Sequence, residues 1–411
     1  MARVGVRWFA FFTLAWVALW AVQLTPLQLL LPLQLDTDES AGGWIPGVVS
    51  SGLVLGVGGL AGVVAGPLAG ALSDRGRGAR RRPWAVGGSW LTAACLVLTG
   101  LAHGPWLVGV AWVGVSIGAA VASAAFTALI ADQLPTSRRG AASAVIGSSQ
   151  AVGVVVGVAV VVLLGLGVVA GYLLMAVVMA VAGTVAALAL PDPAGRVEGR
   201  AERRVRGLAS LARERDFLRM LLGRLFVNIG NALVTALLLF YLLHGLGLGR
   251  DAAETDLLLV IVVYTVFVVA ASIVFGVVSD RRAGRRVPAV VGAGVQACSP
   301  ALLLIHPSWG TTLVAGALMG IGYGAYSTVG LALATDLLPR PEDHARDLGV
   351  VQVVAALGQL IGPVLGAGLV VLSGGFVGVF VGSLVLTLLG AVVTATVTEP
   401  SVATARVGLR P

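Results

Sequence analysis

The sequence contains no lysine, and charged residues make up only 11% of its 411 positions. So thin a charged fraction is incompatible with a water-soluble globule of this length. Two cysteines, Cys95 and Cys298, stand alone in separate apolar runs, which excludes a disulfide framework and any metal site built from closely spaced thiols. Of the 4 histidines, His103, His244 and His306 fall at the ends of apolar runs. No Asp or Glu occupies the middle of such a run, so the usual membrane-embedded proton carrier is missing. With no Gly-x-x-x-x-Gly-Lys-Ser/Thr loop, no His-Glu-x-x-His and no nucleophile set beside a base, neither ATP-driven transport nor an enzyme is expected. No cofactor is implied.

What the chain has in abundance is apolar surface: 58% hydrophobic residues, 57 glycines and a mean hydropathy of +0.98. A helix crosses roughly 30 Å of hydrocarbon with about 20 apolar residues. Apolar runs at about 8–34, 45–72, 84–103, 105–131, 141–165, 168–190, 218–245, 257–279, 288–306, 310–335, 348–372 and 375–397 are long enough for twelve crossings. The first follows Arg3 and Arg7 and so imitates a secretion signal. Its apolar character continues to Leu35 without a small-residue cleavage site, and it is expected to remain as a span. Each run is continuous rather than alternating, and an unpaired strand in lipid loses several kcal/mol per polar backbone group, so helices are expected.

Charge then orients the chain. All the arginines except Arg224 and Arg250, 25 of 27, fall on the side that holds the N-terminus, and the opposite loops are short and acidic at Asp36, Asp38, Glu39, Asp251, Glu254 and Asp256. Both termini are therefore expected in the cytoplasm, with the protein multi-pass in the plasma (inner) membrane. The net charge of +8 serves this orientation, and no nucleic-acid partner is expected.

The chain repeats itself. Ser116 to Pro135 matches Gly320 to Pro339 at a displacement of 204 residues, with eight of twenty positions identical. Gln150, Gly153 and Gly157 recur as Gln359, Gly362 and Gly366, and Asp74-Arg75 recurs as Asp280-Arg281. This divides the chain into a six-helix bundle over 1–190, a hydrophilic linker over 191–216, a second bundle over 217–398 and a tail over 399–411, with a surface helix expected over Gly207 to Asp216.

The loops after the second and eighth spans carry the most specific motif. The first copy reads Gly66-Pro-Leu-Ala-Gly70-Ala-Leu-Ser-Asp74-Arg75-Gly-Arg77-Gly78-Ala-Arg80-Arg81-Arg82-Pro83-Trp84, and the second Gly276-Val-Val-Ser-Asp280-Arg281-Arg-Ala-Gly284-Arg285-Arg286. Physically, a glycine such as Gly70 admits a close helix, and a carboxylate at the membrane edge accepts hydrogen bonds from arginine or a helix N-terminus. This pattern resembles the loop signature of the major facilitator superfamily, and the resemblance covers the whole chain. It implies an all-α membrane fold of twelve helices in two pseudo-symmetric six-helix bundles. It also implies that Gly70, Asp74 and Arg75, with Arg80 as paired base, and Gly276, Asp280 and Arg281 hold the cytoplasmic side shut in the outward-open state. A second pair of gate residues follows spans four and ten: Asp132 with Arg139, and Asp336 with Arg346. A carboxylate at a helix C-terminus opposes the dipole and calls for an arginine partner.

If that fold holds, spans one, four, seven and ten line a midplane cavity. Polar residues within the spans are its candidates: Gln23, Gln28, Ser123, Thr127, Gln150, Asn228, Asn231, Tyr264, Tyr323, Tyr326 and Gln359. Each could equally serve as an interhelical hydrogen bond. Arg224 is the one charge well inside a run, either snorkelling to the membrane edge or serving as an anion-binding or gate residue, with Asn228 one turn deeper on the same face. The expected function is secondary transport of a small solute by alternating access, with efflux of a moderately hydrophobic compound favoured by the valine, leucine, Trp16 and Trp20 of the expected cavity. The Arg80-Arg-Arg-Pro-Trp84 ending resembles sugar–cation symporters, which makes polar-solute symport the alternative; a lipid flippase is a further one. The expected partners are a small-molecule substrate, a coupling proton or cation, and the bilayer, with the protein a monomer.

Overall fold

The computed structural model of the protein describes residues 5–36, 43–75, 80–192, 215–281, 284–337 and 344–398. Each of the twelve apolar runs forms one long helix, and no strand occurs among the described residues. In chain order these are α1 (Val6–Leu35), α2 (Ile45–Arg75), α3 (Arg82–Leu101), α4 (Pro105–Gln133), α5 (Thr136–Leu163) and α6 (Val168–Ala189). There follow α7 (Arg215–Gly245), α8 (Arg250–Arg281), α9 (Arg286–Ile305), α10 (Trp309–Asp336), α11 (His344–Ser373) and α12 (Val377–Ala395). The tail after residue 398 and most of the linker, including the surface helix expected over 207–216 up to residue 214, lie outside the described residues.

Chain contacts divide the protein into two compact units, Met1–Arg203 and Arg204–Pro411. The first unit packs α1 on α5 and α6, α2 on α4, α3 on α4, and α3 on α6. The second repeats the scheme with every helix number raised by six: α7 on α11 and α12, α8 on α10, α9 on α10, and α9 on α12. The sequence repeat is therefore a repeat of packing.

Small residues set the closest approaches. A side chain at Gly153 would meet the Val17 carbonyl at 2.9 Å, and one at Gly157 would collide with Thr25, so α5 lies backbone to backbone on α1. The counterparts Gly362 and Gly366 meet Ala232, Leu233 and Leu237, holding α11 on α7 in the same way. By contrast Leu53, Val57, Leu60, Val64, Leu68 and Leu72 form an exposed stripe along α2. With no water to avoid in the bilayer core, such a stripe suits contact with acyl chains.

The helix starts follow ordinary capping chemistry. Pro83 in the first turn of α3 gives up an N–H that would have no helical partner, and the Asp192 carboxylate accepts from the backbone N–H of Arg81 (2.9 Å) and Arg82 (3.3 Å). Ser308 and Thr311 cap α10 reciprocally. In α1, Pro26 is followed by a widened turn in which Leu31 N–H reaches back to the Pro26 carbonyl.

Candidate functional site

Two groups of polar side chains stand out from the apolar bundles. The first is on α7, the most enclosed of the twelve helices. Arg224, Asn228 and Asn231 fall at i, i+4 and i+7, a spacing that puts them on one face, and they are only 7%, 3% and 2% exposed. The Asn228 amide donates to the Arg224 carbonyl (2.7 Å), and its oxygen accepts from the Tyr323 hydroxyl of α10 (3.2 Å). Asn231 donates to the Tyr264 hydroxyl of α8 (3.2 Å), and the Tyr264 and Tyr323 rings lie 6.4 Å apart, tilted by 31°. The arrangement is a strip of amides and phenols crossing three helices.

Arg224 heads this strip. Its guanidinium does not snorkel along the helix; it turns to α10, where Nη1 donates to the Ser327 carbonyl at 3.4 Å. Its Nε is buried without a hydrogen-bond partner, and no carboxylate pairs with it among the described residues. Tyr326 stands nearby but is tied into the core, 3.0 Å from the Thr394 hydroxyl and packed with Val227, Ala289 and Ala293. Gln296, which the sequence reading left out, is fully buried and donates to the Val227 carbonyl (3.1 Å), linking α9 to α7.

The remaining candidates are dispersed. Gln23 donates to its own helix at Leu19 (3.3 Å), Gln28 is half-buried in the widened turn, and the counterparts Gln150 and Gln359 are both exposed. Ser123 and Thr127 bond the preceding turn of α4 and line a cleft of about 410 Å³ against α2, whose walls include Gly66, Gly70, Ser73, Arg81 and Asp132. On α1, Trp8, Phe12, Trp16 and Trp20 form a continuous aromatic ladder, with successive centroids 4.7, 6.2 and 6.4 Å apart.

The second group sits at the arginine-rich end of each bundle. Asp132 at the end of α4 receives Arg81 Nε at 3.0 Å, and Arg81 Nη1 also donates to Ser73 on α2 (2.7 Å). Asp336 at the end of α10 receives Arg285 Nε at 3.1 Å. In the first copy it is Arg81 that meets the Asp132 carboxylate, while Arg80 is exposed; Arg81 occupies the N-cap of α3, where Asp192 fixes its backbone and directs it inward. Arg139 does not reach Asp132 either. It bends over the end of its neighbour, donating to the Leu134 (3.2 Å) and Ala131 (3.1 Å) carbonyls, which a helix C-terminus leaves without partners.

The motif glycines are not crowded in this structure. A side chain at Gly70 would meet nothing within 4 Å, and one at Gly276 would make an ordinary contact with Thr328 at 3.6 Å. Arg281 is exposed. The side chains of Asp74, Arg75, Asp280 and Arg346 lie outside the described residues.

A family model described as Major Facilitator Superfamily matches residues 43–259 and 220–409. The chain belongs to that superfamily. It is therefore a multi-pass membrane protein of a transporter family, and its two packing repeats are the superfamily's two bundles. The chain is 28% identical over 165 residues to an MFS-type transporter of Schizosaccharomyces pombe, covering 39% of this chain and 37% of that protein. It is 27% identical over 122 residues to a major facilitator superfamily multidrug transporter of Aspergillus fumigatus, covering 30% of this chain and 23% of that one. These matches span well under half of either relative. Among solved structures, the nucleoside transporter NupG superposes with a TM-score of 0.73 at 14% identity, covering 94% of this chain and 97% of that one, a likeness of fold alone.

Proposed function

We propose that this superfamily member exports a moderately hydrophobic compound by alternating access, with its termini in the cytoplasm. The observation that carries the reading is the α7 strip: amides, phenols and one guanidinium, enclosed among apolar side chains. A ligand there meets a few directional polar groups on an apolar wall, the usual make-up of a small-molecule site. The segment shared with a fungal multidrug transporter supports the same direction.

At the cytoplasmic side, Asp74, Arg75, Asp280 and Arg281 act as the gate, with Gly70 and Gly276 beside them, and the Arg81–Asp132 and Arg285–Asp336 pairs brace the helix ends from which those loops depart. The test is ligand-induced thermal stabilisation of the purified protein across sugars, amphiphilic cations, organic anions and lysolipids, because a ligand that binds the native state raises its apparent stability. Amphiphiles are expected to shift the melting temperature saturably. A shift with sugars alone would replace export with polar-solute symport.

A further inference from the structure

We infer that the exported compound is an amphiphilic monocarboxylate whose carboxylate is the counterion of Arg224, and that the membrane potential drives it outward. This rests on the export reading above and names its substrate class.

Among the described residues Arg224 is a buried arginine that no carboxylate faces. Arg81, Arg219, Arg250 and Arg285 each face a carboxylate at 3.0 to 3.2 Å. Arg224, more deeply buried than most, has only a neutral carbonyl at 3.4 Å, and its Nε has nothing. A guanidinium offers five N–H donors in a planar fork that fits a carboxylate bidentately. A buried cation left without an anion is strongly unfavourable, and such a residue inside a membrane span is by default functional.

The surroundings fix the rest of the ligand. Beside Nη1 lies Gly330, where a side-chain carbon would stand 3.7 Å from that nitrogen and 3.7 Å from the Tyr326 ring, in ordinary contact with both. Further along the strip, the Tyr264 and Tyr323 rings present flat apolar faces while Asn231 and Asn228 hold their hydroxyls. One anionic head and an apolar, ring-bearing body match this order of groups.

In this inference the substrate's own charge supplies the energy source. No Asp or Glu stands mid-span to trade a proton. A monovalent anion leaving a cell whose interior is negative needs none: a potential of 100 mV supports a gradient of about fiftyfold.

The test uses the full chain in proteoliposomes with a potassium diffusion potential set by valinomycin and no pH gradient. Three probes share one body: 1-naphthylacetate, neutral 1-naphthylacetamide and cationic 1-naphthylmethylammonium. The carboxylate is expected to enter when the lumen is positive and to stop when the potential is reversed. Arg224→Gln should weaken its apparent affinity roughly ten- to hundredfold, the worth of a charge-assisted hydrogen bond, and Arg224→Lys should retain part of it. Should Arg224→Gln fail to yield a monodisperse protein, Gly330→Ala narrows the space beside the guanidinium and should weaken the carboxylate more than the amide.

Transport of the amide or the ammonium with the carboxylate excluded would overturn the inference and leave hydrophobic export standing. Carboxylate transport that ignores the potential and follows an imposed pH gradient, or that persists unchanged in Arg224→Gln, would also overturn it. Movement of none of the three would remove the export reading as well. Stabilisation by phosphatidylglycerol, lost in Arg224→Gln and not matched by naphthylacetate, would give the guanidinium to a lipid headgroup instead.

Discussion

Arg81 Nε lies 3.0 Å from Oδ2 of Asp132, and 204 residues further on Arg285 Nε lies 3.1 Å from Oδ2 of Asp336. The same atoms meet in both bundles, yet the two pairs are not equally secured. The side chains of Arg81 and Asp132 are 10% and 39% exposed, against 27% and 45% for Arg285 and Asp336. Arg81 also holds Ser73, while its neighbour Arg82 donates to the carbonyls of Ala187, Leu188 and Leu190 at the end of α6. In the second bundle Arg286 likewise donates to the Val397 carbonyl (3.2 Å), and the first pair is set apart by being the more enclosed of the two.

A double-mutant cycle should register the difference. Removing Arg81 and Asp132 singly and together should return a coupling of about 1 kcal/mol, the upper part of the range for partly exposed ion pairs, and the Arg285–Asp336 cycle a smaller one. Arg80→Ala should leave stability within about 0.5 kcal/mol of the parent, as for any exposed surface position. Melting of the purified variants measures all of these.

Asp192 is predicted to matter for stability before it matters for transport. Its carboxylate takes two N–H groups at the start of α3, so Asp192→Ala should cost about 1 kcal/mol and Asp192→Asn noticeably less. Unchanged melting of Asp192→Ala would show that water serves those donors equally well.

Glycines divide into crowded and uncrowded ones. Gly157→Leu and Gly362→Leu drive a side chain into Thr25 and Ala232, and each should cost about 1–3 kcal/mol or more, by forcing a helix pair apart. Gly70→Ala should fold and melt like the parent, because nothing stands within 4 Å of the added methyl. A loss of turnover in Gly70→Ala at normal stability would then place its close contact in another conformation of the transport cycle, as a gate residue requires.

Tyr323→Phe leaves the Asn228 amide oxygen without its donor. The expected cost is about 1 kcal/mol, or roughly fivefold in the apparent affinity of an amphiphilic ligand, with insertion and yield unchanged. Isothermal titration of the two proteins with the same ligand measures it.

The helices were legible because hydropathy alone dictates them: every expected run became a helix, most within a few residues of its expected ends. The repeat was legible too, and it held the clue to Arg81, since Arg81 and Asp132 recur as Arg285 and Asp336 at one common displacement. What sequence could not phase was the loop. Arg80, Arg81 and Arg82 are consecutive, and only the carboxylate arriving from the end of α6 decides which of them turns inward. Within the spans, type was readable and direction was not. Asn228, Asn231, Tyr264 and Tyr323 converge, whereas Tyr326 is spent on Thr394 and the Gln150 and Gln359 pair is exposed, because a single polar residue on a uniformly apolar helix carries no period to orient it. Gln296 escaped notice for the same reason.

The most direct test of the account is solute movement in membrane vesicles of defined orientation, comparing the parent with Asp74→Asn. Inside-out vesicles should accumulate amphiphiles and right-side-out vesicles should not, and Asp74→Asn should lose most of that accumulation while still binding ligand. Accumulation of a sugar in right-side-out vesicles, or normal export by Asp74→Asn, would contradict the account.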